Sequence, residues 1–150
     1  ELSYLVDGWL PKGDVSLVYA EKGTGKTCLA LALSMALAKG ESFLDRSQCV
    51  EPAKSMFIAT DSGLGPLVKA MDHLGILPED PIFKPGHKDQ MIHVQGFASD
   101  QGHASWCCDI NSVIWLENQI MRHDLKLIVV DSAKSVSSSA SWSYTSNEST

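Results

Sequence analysis

Residues 20–27 constrain the fold of this chain more than any other part of its sequence. They read Ala-Glu-Lys-Gly-Thr-Gly-Lys-Thr and lie between an apolar run at residues 15–20 and a Leu- and Ala-rich stretch at residues 25–39. Gly23 and Gly25 can adopt backbone angles that a side chain would block, so the loop can turn successive N–H groups inward around a phosphate. The helix that follows adds the positive end of its dipole. The sequence therefore predicts a strand, a phosphate-binding loop and a buried helix.

This loop has the spacing of a Walker A motif, with Ala20 in place of the usual first glycine. Alanine is the smallest substitute for glycine, so we expect a slightly changed turn and an intact site. Lys26 is a candidate catalytic residue whose charge would lie on the β- and γ-phosphates, and the Thr27 hydroxyl is a candidate ligand of Mg²⁺. The predicted cofactors are thus ATP and Mg²⁺. The candidate nucleotide-binding residues are Glu21, Lys22, Gly23, Thr24, Gly25, Lys26, Thr27 and Cys28.

Strand-like and helix-like stretches alternate along the rest of the chain. Strands are predicted at residues 55–60, 91–95 and 125–131, and helices at residues 66–74 and 110–123. The last strand is continuously apolar after Lys126, so it should be buried on both faces. Such alternation is typical of an α/β fold with three layers and a mostly parallel sheet.

Two aspartates end predicted strands at the edge of the sheet that the loop also faces. Asp131 ends the strand Leu-Ile-Val-Val-Asp, as in a Walker B motif, and is a candidate ligand of Mg²⁺. Asp61 follows the strand at residues 55–60 and is a candidate catalytic residue that would polarise the attacking water. Asp-Ser-Gly is also a favourable turn sequence, so Asp61 has a second interpretation as a turn residue.

The composition indicates a soluble globular domain. Of the 150 residues, 44% are hydrophobic and 20% are charged, and the net charge of −6 argues mildly against a nucleic-acid-binding surface on this segment itself. No apolar stretch is long enough to cross a bilayer and no signal peptide opens the chain, so we expect a cytoplasmic protein without a membrane partner. The cysteines lack the spacing of a metal site and are expected to be free thiols; they are Cys28, Cys49, Cys107 and Cys108.

Two parts of the chain differ in composition. Residues 1–134 carry the alternating apolar elements, and we expect them to form the P-loop core. Residues 135–150 are rich in serine, which favours a mobile loop or tail.

The motifs resemble those of the RecA-like P-loop ATPases, close to the DnaB- and RepA-type helicase ATPases and AAA ATPases of phage or bacterial type. The resemblance covers about residues 4–135. It includes Trp-Leu-Pro-Lys-Gly at residues 9–13, Ile-Ala-Thr-Asp-Ser at residues 58–62 and Val-Val-Asp-Ser at residues 129–132. In that group the second of these segments carries a catalytic glutamate, whose place Asp61 would take with a side chain one methylene shorter.

The resemblance implies an ATP-hydrolysing domain of a DNA helicase or recombinase-type motor. Such a motor would work as a ring or filament of identical subunits and meet single- or double-stranded DNA through parts outside this segment. The group also has a strand after Walker B, inserted between the Walker B strand and the P-loop strand. Because the sequence stops before such a strand, we expect an incomplete domain that lacks its C-terminal strands.

Two other functions fit the same phosphate site. A P-loop kinase would usually need an arginine-rich lid, and this chain has two arginines, Arg46 and Arg122. A regulatory nucleotide switch stays open as an alternative.

Overall fold

The computed structural model describes residues 2–44, 47–49, 51–60, 63–96 and 110–132. In chain order the elements are β1 (Tyr4–Val6), β2 (Leu10–Pro11), α1 (Lys26–Lys39), β3 (Ser42–Phe43), β4 (Ser47–Gln48), β5 (Lys54–Ala59), α2 (Gly65–His73), a 3₁₀ turn (Pro81–Phe83), β6 (Ile92–Gly96), α3 (Ile110–His123) and β7 (Leu125–Asp131). The predicted helices and the three predicted strands after α1 are confirmed, each within one residue of its expected bounds.

β5 is the middle strand of a three-stranded parallel sheet in the order β6-β5-β7. Its side chains alternate between the two faces of the sheet. Phe57 packs in a cluster with residues of α1 and α2, whereas Met56 and Ile58 pack in a cluster with residues of α3. Helices therefore cover both faces of β5, and the prediction of an α/β fold with a parallel sheet is confirmed for the described residues.

α1 contributes to two separate cores because leucine and alanine occur on nearly all of its faces. Leu33 and Leu37 pack against residues of the two small antiparallel hairpins, β1–β2 and β3–β4. Leu31 packs against the sheet cluster that contains Phe57. The helix ends at Gly40, whose φ of 68° is left-handed and whose N–H points to the carbonyls of the last turn, as predicted.

Residues 15–20 do not form a strand, so that prediction was wrong. The side chains of Val15, Leu17 and Tyr19 are 93%, 80% and 92% exposed. An apolar β-prone run becomes a strand only where a neighbouring strand completes its hydrogen bonds. No strand within the described ranges pairs with this segment.

β7 forms as predicted, but the expected burial on both faces was wrong. Leu125 is buried, while residues 127–131 are half-buried. β5 pairs with one edge of β7, and no strand in the described part of the chain pairs with the other edge. The RecA-like order requires a strand between residues 15–20 and β7, and it stays a prediction.

Several predicted features fall outside the described residues. They are Asp61, Arg46, Cys107, Cys108 and the serine-rich residues 135–150. The described cysteines Cys28 and Cys49 are free thiols. None of the described helices has the length and apolar character needed to cross a membrane.

Candidate functional site

The loop that precedes α1 is shaped by its two glycines. Gly23 and Gly25 have φ values of 85° and 93°, in the left-handed region. A Cβ at either position would meet no atom within 4 Å, so the backbone angle and not crowding requires glycine. Ala20 is not among the residues with positive φ, so alanine fits at the start of the loop, as expected. The hydroxyl of Thr24 donates to the carbonyl of Glu21 at 2.8 Å and closes the turn.

Lys26 folds back over this loop. Its Nζ donates to the carbonyl oxygens of Ala20 and Glu21, both at 2.7 Å. An ammonium group has three N–H donors, so these two bonds leave one for a phosphate oxygen. The loop carbonyls therefore hold the charge of Lys26 against the loop that precedes α1. Lys22, by contrast, is exposed.

The N-terminus of α1 has free capacity for an anion. Its cap residue is Gly25, which supplies no side-chain cap, and the first turn has no acidic residue. The first N–H groups of a helix have no acceptor within the helix, and the dipole there favours negative charge. Thr27 and Cys28 lie in this first turn and are half-buried. This geometry suits a phosphate.

Thr27 brings the second motif to the loop. Its Oγ1 donates to Oδ2 of Asp131 at 2.6 Å, although the two residues are 104 positions apart in the sequence. Asp131 ends β7, so the carboxyl end of the parallel sheet faces the start of α1. Both predicted Mg²⁺ ligands are thus in direct contact.

The residues present fit Mg²⁺. A hydroxyl and a carboxylate oxygen side by side are donors of the kind that this hard cation prefers. No group of three or more His, Cys, Asp or Glu side chains that could hold a metal occurs among the residues that the structure describes. Mg²⁺ usually keeps several waters and takes further ligands from substrate phosphates, so one carboxylate and one hydroxyl suffice.

Thr60 lies at the candidate site, although no sequence motif assigned it a role. It follows β5 and is 4% exposed. Its N–H donates to the carbonyl of Asp131 at 2.9 Å, and its side chain bonds the backbone of Ser132. A hydroxyl directly after four apolar strand residues, Met56 to Ala59, was the available signal. Asp61 is the next residue, and because it lies outside the described ranges, both of its interpretations stay predictions.

Comparisons with known proteins are consistent with this geometry. No curated protein and no solved structure matches the chain. The family model described as an AAA domain matches residues 1–149, nearly the whole sequence. On this match the chain belongs to the AAA domain family, whose members are nucleotide-binding P-loop ATPases.

Proposed function

We propose that the chain is the Mg²⁺-dependent, ATP-hydrolysing domain of a DNA helicase or recombinase-type motor. The contact between Thr27 and Asp131 carries this proposal, because it joins the two motifs at the N-terminus of α1. A hydroxyl and a carboxylate at 2.6 Å beside an uncapped helix start form a set of groups suited to a nucleotide with its metal.

Each group has a distinct part in the reaction. The first turn of α1 and Lys26 would bind the phosphates and offset the charge that develops on them. Thr27 and Asp131 would hold Mg²⁺, which would supply positive charge to neutralise the phosphates. Asp61, which follows Thr60 in the sequence, would orient the attacking water.

The motor role has support from the sheet. In the RecA-like order the P-loop segment and the Walker B strand are not neighbours, whereas a P-loop kinase of the other main branch would pair them directly. Within the described ranges, β7 pairs with β5 and forms no ladder with residues 15–20. The pairing of β7 with β5 is compatible with a motor, and the DNA test below separates the motor from a kinase or a switch. Subunits of a ring or filament, and single- or double-stranded DNA, are the proposed partners.

The nucleotide site is tested by Lys26→Ala in the full-length protein. Loss of the charge on the β/γ-phosphates should weaken ATP binding at least about tenfold by calorimetry. Lys39→Ala is the matched control, because Lys39 is exposed at the opposite end of the same helix. Equal ATP affinity in wild type and Lys26→Ala would refute the site.

The metal and the motor role have separate tests. Asp131→Asn should keep the fold and lose most Mg²⁺-dependent hydrolysis, because it removes the proposed metal ligand. Single-stranded DNA should raise the ATP turnover of the wild-type protein. If DNA leaves turnover unchanged while ATP binding is intact, the kinase or the switch becomes the better assignment.

A further inference from the structure

The hydroxyl of Thr60 makes two hydrogen bonds to a single neighbouring residue. Its Oγ1 donates to the carbonyl of Ser132 and accepts from the N–H of Ser132, each at 3.0 Å. The backbone N–H of Thr60 also donates to the carbonyl of Asp131 at 2.9 Å. Thr60 therefore holds both residues at the end of β7.

These bonds matter because, among the strands that the structure describes, β5 alone pairs with β7. The regular pairing of β5 with β7 stops at Ala59 and Asp131. Beyond that pair, the contacts of Thr60 continue the connection by one residue. In the described part of the chain no strand pairs with the opposite edge of β7. Removing the hydroxyl would take away two of the bonds that fix the strand end at the site.

These bonds keep Asp131 in position. Its carboxylate accepts the hydroxyl of Thr27 at 2.6 Å, and a displacement of about 1 Å would break such a contact. Groups that orient metal ligands without touching the metal typically change metal affinity 10- to 100-fold when they are removed. Thr60 contacts the backbone of Asp131 and leaves the carboxylate free for its partner.

We propose that Thr60 is a positioning residue, which through Asp131 sets the Mg²⁺ concentration at which the site binds ATP. This inference rests on the proposed function. Thr60 acts by holding the strand end in place, and it need not touch the nucleotide or the metal.

The test compares Thr60→Val with Thr60→Ser in the full-length protein. Valine keeps the branched shape and removes the hydroxyl, whereas serine keeps the hydroxyl. ATP binding is measured at equilibrium over a range of Mg²⁺ concentrations, and again in excess EDTA. We expect Thr60→Val to raise the half-saturating Mg²⁺ concentration about tenfold or more, with binding in EDTA unchanged. Thr60→Ser should stay within about threefold of wild type.

Other outcomes separate this inference from the function on which it rests. An unchanged Mg²⁺ dependence in Thr60→Val would overturn the positioning role while leaving the function intact. So would an equal loss of binding in EDTA, since that would indicate a general structural effect. A wild-type protein without Mg²⁺-dependent ATP binding would overturn the proposed function itself. If Thr60→Val does not fold, Thr60→Ala carries the same expected shift and the same refutation.

Discussion

β5, β7 and residues 15–20 differ in burial although their sequences are similarly apolar. β5 has neighbours on both edges, and five of its six residues are buried. Among the described strands β7 pairs with β5 alone, and one of its seven residues is buried. Residues 15–20 have no paired strand within the described ranges, and most of their large side chains are exposed. Burial thus follows the number of neighbours and not the apolar pattern alone.

The proposed nucleotide site combines a residue of a well-packed helix with a residue of a less buried strand. Thr27 comes from α1, which is packed into both cores, whereas Asp131 comes from the half-buried strand. α1 can position Thr27 because this helix is packed into both cores. Among the described contacts at the end of β7 are those of Thr60 with Asp131 and Ser132, so the proposed positioning role concerns the less buried strand.

The largest expected effect compares two leucines. Leu37 is fully buried in α1 and Leu17 is 80% exposed. Leu37→Ala should lower the free energy of unfolding by about 2–5 kcal/mol, because it removes buried methyl groups and leaves a cavity. Leu17→Ala should change it by less than about 0.5 kcal/mol. Urea denaturation of both variants measures the difference.

A large loss of unfolding free energy in Leu17→Ala would contradict the exposed state of residues 15–20. It would mean that another segment or subunit covers this side in the full-length protein. The strand predicted at residues 15–20 would then regain support, because a neighbour that buries its side chains could also complete its hydrogen bonds.

Local signals predicted most of the helices and strands and the places in the fold of several candidate site residues. Gly25, Lys26 and Thr27 are placed by a short motif, and Asp131 by the end of an apolar strand; these positions follow from backbone angles and strand direction. The state of residues 15–20 was not predictable in this way, because a strand depends on a partner distant in sequence. The contacts of Thr60 were not predictable for the same reason, since its partner Ser132 is 72 positions away.

A comparison of two glycines, one packed and one in open space, gives stability losses of intermediate size. Gly40 and Gly13 have similar left-handed φ values of 68° and 73°. A Cβ on Gly40 would lie 2.9 Å from the side chain of Pro52, whereas a Cβ on Gly13 would meet nothing within 4 Å. Gly13→Ala should cost about 1 kcal/mol from backbone strain, and Gly40→Ala should cost more, about 2 kcal/mol. Equal losses in thermal unfolding would show that packing at Pro52 relaxes freely.

We expect the stability of the protein to depend on pH through His93. Its ring lies 4.2 Å from that of His123, and its pKa is lowered to about 4 by burial, by His123 and by Lys54. The unfolded chain therefore takes up a proton near pH 6.5 that the folded chain resists until about pH 4. Stability should fall as the pH drops from about 6.5 to 4.

The variant His93→Gln should flatten that fall, because it removes the group that titrates differently in the two states. His73→Gln is the matched control, since His73 is exposed at the end of α2. Urea denaturation at a series of pH values compares the two. A slope in His93→Gln as steep as in wild type would assign the pH dependence to other groups.

The smallest effect has the opposite sign and concerns two buried serines. Ser55 and Ser34 are both fully buried, but the hydroxyl of Ser34 donates to the carbonyl of Ala30 at 3.0 Å. The hydroxyl of Ser55 has no hydrogen-bond partner among the described residues. Because a buried polar group without a partner is unfavourable, Ser55→Ala should raise the free energy of unfolding by up to about 1 kcal/mol. In Ser34→Ala the lost hydrogen bond and the better helix propensity of alanine should nearly cancel. A loss of more than about 1 kcal/mol in Ser55→Ala would instead reveal a partner for this hydroxyl in the full-length protein.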